Sequence, residues 1–173
     1  NDLPNGDAPP EILDVEVSAS DSPLNQTTAD IYCYATISDD LATSNLVGVY
    51  NWYRNDILQL GLTGNTSVTN NTPTLVSTLP SSQTSLNDTW TCEVTAFDGE
   101  LYSTKLNEIY SLNDSIKIIN DIPYFTSLIL NSSTPNNYSV DNLTIHHTDF
   151  DANGDPTYQE YRWIRNAYEL NPR

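Results

Sequence analysis

Hydrophobic and polar residues alternate along much of this chain with a period of two. From Ala29 to Ile37 the odd positions (Ala29, Ile31, Cys33, Ala35, Ile37) are small or apolar, and polar residues or tyrosines stand between them. From Trp90 to Ala96 the even positions (Trp90, Cys92, Val94, Ala96) are apolar, and the odd ones are Thr or Glu. Successive side chains of a strand point to opposite faces, so both stretches predict strands with one buried face. Leu13, Val15 and Val17 alternate ahead of them. Leu75, Leu79, Leu101 and the run Ile116 to Ile119 supply further short strands. Turn-forming stretches lie in the gaps: Asp21-Ser22-Pro23, Asn87-Asp88-Thr89, Asp98-Gly99-Glu100 and Asn120-Asp121-Ile122-Pro123. No long segment carries the 3.6-residue period of an amphipathic helix. The expected fold class is all-β.

One pattern occurs twice. Tyr50, Trp52, Arg54 and Asn55 match Tyr161, Trp163, Arg165 and Asn166 at an offset of 111 (161 − 50). Cys33 aligns with Ile145 at 112 (145 − 33), and Pro10 with Pro123 at 113 (123 − 10). The opening Asn1-Asp2-Leu3-Pro4 echoes Asn120-Asp121-Ile122-Pro123. A slowly drifting offset is what loops of variable length produce between copies of one unit. The expected organisation is a linker over 1–9, a complete unit over 10–119 and a partial second unit over 120–173. The second copy holds only the first three strands, with Trp52 and Trp163 as equivalent core anchors and Trp90 as a further one.

Cys33, Trp52 and Cys92 carry a resemblance. Trp52 follows Cys33 by 19 residues (52 − 33), and Cys92 follows it by 59 (92 − 33). In these spacings the first unit resembles an immunoglobulin-like β-sandwich, in which cysteines of the second and sixth strands bond between the sheets and a tryptophan packs on the bridge. The resemblance implies a Cys33–Cys92 disulfide; the other state open to the pair is two reduced, buried thiols. Trp90 stands where that family often has tyrosine. The stretch Asp149–Trp163 is similar to a segment of polycystic-kidney-disease-type surface repeats. Tandem sandwiches of this kind, rich in Asn and Thr, resemble archaeal or bacterial cell-surface and filament proteins. The resemblance implies one complete and one partial sandwich. Its implied role is a structural subunit of an extracellular filament or surface coat, with copies of itself as partners. The alternative is an adhesin or carbohydrate-binding module whose partners are glycans or other cell surfaces.

Composition narrows the partners. Six basic residues stand against 23 acidic ones, a net charge of −17. Nucleic acid and anionic lipid are therefore not expected partners, because phosphate binding needs Lys and Arg. The polarity comes mostly from Asn, Ser and Thr, at 20, 17 and 20 residues. No stretch is apolar for long enough to span a membrane. With no Met and no signal peptide, the sequence looks like a processed or excised piece of a longer product. Asn25, Asn65, Asn70, Asn87, Asn113, Asn131, Asn137 and Asn142 each begin an Asn-x-Ser/Thr triplet. Such triplets accept N-linked glycans outside the cytosol.

The sharpest motif for chemistry is a calcium-loop spacing. Asp149, Asp151, Asn153, Gly154, Asp155 and Glu160 occupy its ligand and glycine positions. Hard carboxylate oxygens on a tight turn suit that ion, while an Asp/Gly-rich turn is the plainer expectation. His146 and His147 are strand neighbours and must face opposite ways, His147 inward. Tyr32, Tyr34 and Tyr53 should lie on outer faces, where they could stack on sugars or on a neighbouring subunit. No Gly-x-Ser-x-Gly, phosphate loop or His-Glu-x-x-His is present, and no enzyme is expected. A three-strand second copy would leave Leu128, Leu130, Tyr161 and Trp163 on an open face. The expected strand donors from a neighbouring copy are Leu13 to Val17 and Ile116 to Ile119.

Overall fold

The computed structural model describes residues 8–40, 45–105, 108–136, 138–165 and 168–170. Most of the expected 1–9 linker, the Asn137 triplet and the Asn166 position lie outside the described residues. The chain divides into two units, Asn1–Asp121 and Ile122–Arg173, with the break inside the Asn-Asp-Ile-Pro stretch. Both are built from antiparallel strands. Among the described residues the single helical element is a 3-10 turn at Ser81–Gln83.

The strands of the first unit are β1 (Glu11–Ala19), β2 (Ile31–Ser38), β3 (Val47–Arg54), β4 (Ile57–Ser67), β5 (Thr74–Leu79) and β6 (Thr89–Phe97). Two-residue β7 (Thr104–Lys105) and β8 (Glu108–Ile109) precede β9 (Ser111–Lys117). One sheet has the order β1-β2-β5, the other β4-β3-β6-β9. β2 and β6 alternate strictly. Ile31, Cys33, Ala35 and Ile37 are buried on one, and Trp90, Cys92, Val94 and Ala96 on the other. These faces share one core, pinned by a Cys33–Cys92 disulfide between the sheets. Trp52 packs edge-on against Trp90, ring centroids 6.3 Å apart.

One expected inward leucine, Leu13, points out. A register shift between Ile12 and Asp14 makes Leu13 the extra residue of a bulge, so Ile12 is buried and Leu13 exposed. A second shift, opposite Cys33 and Tyr34, buries Val76 and exposes Leu75. Leu101 is not in a strand: it closes the Asp98–Leu101 turn, where the Asp98 carboxylate accepts from the N–H groups of Glu100 and Leu101.

The Tyr50–Asp56 stretch has a local logic. Asn55 and Asp56 both adopt left-handed backbone (φ 50° and 65°), as the two-residue turn from β3 to β4 requires. Arg54 Nε lies 2.9 Å from the buried Asp88 carboxylate. Asn55 exchanges hydrogen bonds with the backbone of Thr89, its N–H donating to the carbonyl and its Oδ1 accepting from the N–H. The Arg-Asn pair thus fixes where β6 begins.

The second unit holds β10 (Tyr124–Ser132), β11 (Leu143–Phe150), β12 (Trp163–Arg165) and β13 (Tyr168–Leu170), paired as two hairpins. The loop after β10 is gathered on Asp141, whose carboxylate accepts from the hydroxyls of Ser132, Ser133 and Thr134 and from the Tyr138 N–H.

The β10–β11 pairing repeats β1–β2 residue for residue. Val17 faces Cys33 and Leu130 faces Ile145, at offsets of 113 (130 − 17) and 112 (145 − 33). All eight described pairs of the one hairpin map onto the eight of the other. The bulge is shared as well, at Leu13 and Thr126 (126 − 13 = 113). At offset 111, β12–β13 likewise repeats the turn end of β3–β4. Arg54 pairs with Ile57 as Arg165 pairs with Tyr168.

Candidate binding and assembly surfaces

The face of β10–β11 that corresponds to the buried face of β1–β2 presents Phe125, Leu128, Leu130, Leu143, Ile145 and His147. In the first unit the matching residues Ile12, Val15, Val17, Ile31, Cys33 and Ala35 are all below 9% exposed. Here Leu128 is 64% and Leu130 60% exposed. Trp163 borders this face, over an open depression of about 230 Å³ with Leu128, Leu130 and Ile145. It is 37% exposed where Trp52 is 1% exposed. The two tryptophans hold matching register positions but unlike surroundings. Trp52 lies between two sheets, while Trp163 has one hairpin to lean on. His147 does turn inward, its ring between those of Phe125 and Tyr161 at 5.7 and 5.8 Å, and His146 faces out. The two histidines share no ligand site.

The expected strand donors are already in use. Val15 and Val17 of β1, and Ile116 and Ile118 around the end of β9, are buried in the first unit's own core.

β4 and β5 are edge strands of their sheets, and Thr66 Oγ1 donates to the Val76 carbonyl between them at 2.8 Å. From Ile57 to Asn87 no residue is charged. Edge strands are ordinarily guarded by charge or proline; Ile57 to Ser67 contains neither. A register break opposite Asn51 and Tyr53 pushes Leu60 out to 83% exposure. One side of the first unit is therefore neutral in a chain of net charge −17.

The calcium-spaced residues do not converge. Asp151 Oδ1 accepts from the N–H groups of Asn153 and Asp155 at 2.9 and 3.1 Å, closing a turn on Gly154 (φ 76°). Asp149 is taken by the Thr157 hydroxyl and the Gln159 amide. Glu160 is exposed and faces Arg162 at 3.5 Å. Glu160 lies beyond that turn, and the loop's own donors already bond to one oxygen each of Asp149 and Asp151. Among the described residues no three His, Cys, Asp or Glu side chains gather as a metal site.

The outer tyrosines fall on two different sheets. Tyr32 and Tyr34 stand edge-to-face on β2, 6.4 Å apart. Tyr53, on β3, donates to Glu93 Oε2 at 2.8 Å. Burial pushes the Glu93 carboxyl up, but hydrogen bonds from Ser111, Tyr53 and Asn51 outweigh it and leave the group below its ordinary range. The hydrogen bond to Glu93, the phenol's own partial burial and the Glu93 charge together raise the Tyr53 phenol. Tyr53, Glu93, Thr91, Asp56 and Asn113 line a shallow polar depression of about 300 Å³.

Of the seven described sequons, Asn65, Asn87, Asn113, Asn131 and Asn142 are exposed. Asn25 is half-buried in left-handed backbone (φ 55°), its carbonyl accepting from Ile119 N–H. Asn70 is engaged: its Nδ2 donates to the Asp39 carbonyl at 2.7 Å and its Oδ1 accepts from the Asp39 N–H at 3.0 Å.

Among the described residues no helix is long and apolar enough to cross a membrane. No family model, curated protein or solved structure matches the chain.

Proposed function

We propose that this chain is a stretch of an extracellular filament or cell-surface coat built from tandem immunoglobulin-like sandwiches of the polycystic-kidney-disease type. The observation that carries this is the hairpin made twice, with the same register and the same bulge. Its strand order supports the family: counting the seven main strands of the first unit, Cys33 lies on the second, Trp52 on the third and Cys92 on the sixth. The role is mechanical. A disulfide pins the core, hydroxyl and amide groups cover the exterior, and exposed sequons can carry glycans.

Copies approach each other best where they do not repel. The neutral side formed by β4 and β5 is the natural contact, through strand edges and the protruding Leu60. Burying one such leucine contributes about 1.5–3 kcal/mol. Where this side meets a different surface of the next copy, the contact repeats head to tail and gives an open filament; meeting its own kind it would close a dimer. Electron microscopy of the concentrated, oxidised chain should reveal linear assemblies. A field of dispersed compact particles would argue for another role.

The second reading is an adhesin or carbohydrate-binding module. The depression around Tyr53 and Glu93 favours it, since an aromatic ring beside amide and carboxylate groups suits sugar hydroxyls. Glycan-array binding lost in Tyr53→Ala and kept in Tyr32→Ala would support this alternative.

A further inference from the structure

We infer that the apolar face of the second unit, with the edge of β12 that carries no strand among the described residues, is an acceptor for one kind of partner. That partner is an extended polypeptide segment with the alternation of β6 and an aliphatic residue, not cysteine, opposite Ile145. The inference rests on the repeat proposed above and names what it binds.

The template is internal. In the first unit the face of β1–β2 is covered by the sheet that β3 and β6 share. β3 pairs with β6 through Trp52↔Cys92, Tyr53↔Thr91 and Arg54↔Trp90. In the second unit Trp163, Ile164 and Arg165 occupy the places of Trp52, Tyr53 and Arg54, and among the described residues β12 pairs with β13 alone. Among the described residues, the edge that holds β6 in the first unit therefore carries no strand in the second, beside an apolar face. The chain also spells at 165 and 166 the Arg-Asn pair that fixes the start of β6.

The same template sets the partner's side chains. β6 turns Trp90, Cys92, Val94 and Ala96 inward and Thr91, Glu93 and Thr95 outward. Cys92 meets Cys33, and Ile145 stands in the place of Cys33. A thiol opposite Ile145 would have nothing to bond, whereas a branched aliphatic chain fills the space. The mode is strand addition, in which backbone hydrogen bonds supply affinity and alternate side chains supply choice.

The test uses the whole oxidised chain and a synthetic peptide of residues 88–117 with Cys92→Val. Saturable one-to-one binding by calorimetry is expected, with slowed amide exchange at Trp163–Arg165. Leu130→Asp should weaken binding at least tenfold, and Thr144→Asp, on the opposite face of the hairpin, should leave it intact. Cross-strand contacts between Ile129 and His146 verify that each variant keeps the hairpin. No saturable binding, or equal binding of a peptide with inward and outward residues exchanged, would overturn the inference. So would self-association without peptide that Leu130→Asp abolishes, because the occupant would then be a second copy. A chain that binds the peptide yet never polymerises would leave the acceptor standing and remove the filament.

Discussion

The indole Nε1 of Trp52 donates to Ser77 Oγ at 3.0 Å, a hydrogen bond that crosses from the four-stranded sheet to the three-stranded one. Trp52 is buried, so its N–H has no water to turn to. Ser77→Ala should lower the first unit's stability by about 1–3 kcal/mol, the cost of an unpaired buried donor. Chemical denaturation followed by tryptophan fluorescence measures this. An unchanged midpoint would mean the indole finds another acceptor.

The disulfide should act on the first unit alone. It closes a loop of 59 residues, and removing it as Cys33→Ala/Cys92→Ala should cost about 4 kcal/mol. Ile145 fills the equivalent place in the second unit, so amide exchange on β10 and β11 should not change.

Acid should weaken the first unit at Asp121. Burial raises its carboxyl, but the Thr27 and Thr28 hydroxyl and backbone donors more than offset this and hold it below its ordinary value. A lowered folded pKa gives stability that is complete above the unfolded value of about 4 and fades as pH falls through the folded one. Thr27→Val/Thr28→Val should therefore be less stable at neutral pH, and the gap to the parent should narrow below about pH 4. A gap independent of pH would contradict the assignment.

Asn70 should matter to the fold whether or not it carries sugar. Its amide makes two hydrogen bonds to the Asp39 backbone. Asn70→Gln should destabilise the first unit by about 1–2 kcal/mol, and Asn65→Gln, at an exposed position, by less than about 0.5 kcal/mol. Thermal melts of the unglycosylated protein compare the two.

The two central strands of the first unit were legible because side-chain parity follows backbone parity: every inward position of β2 and β6 is buried. Leu13 falls outside the face its alternation predicts for one reason. A bulge inserts a residue without leaving a mark in the polarity pattern, and parity flips beyond it. The calcium spacing was legible, but the letters do not tell that Thr157, Gln159 and the turn's own N–H groups bond to Asp149 and Asp151. The charge-free run from Ile57 to Asn87 stood in plain view. Its meaning needed topology, since only the strand order makes β4 and β5 the two edges of one side. The match between Trp52 and Trp163 placed the repeat; nothing in the letters tells what lies over each ring.

Sedimentation velocity from micromolar to millimolar concentration, comparing the parent chain with Leu60→Lys, tests self-assembly through the neutral side most directly. The parent should form larger species as concentration rises, and the lysine, adding charge to an unguarded edge, should hold the chain monomeric. A parent that sediments as a monomer throughout, or assembly that Leu60→Lys leaves untouched, would contradict this account.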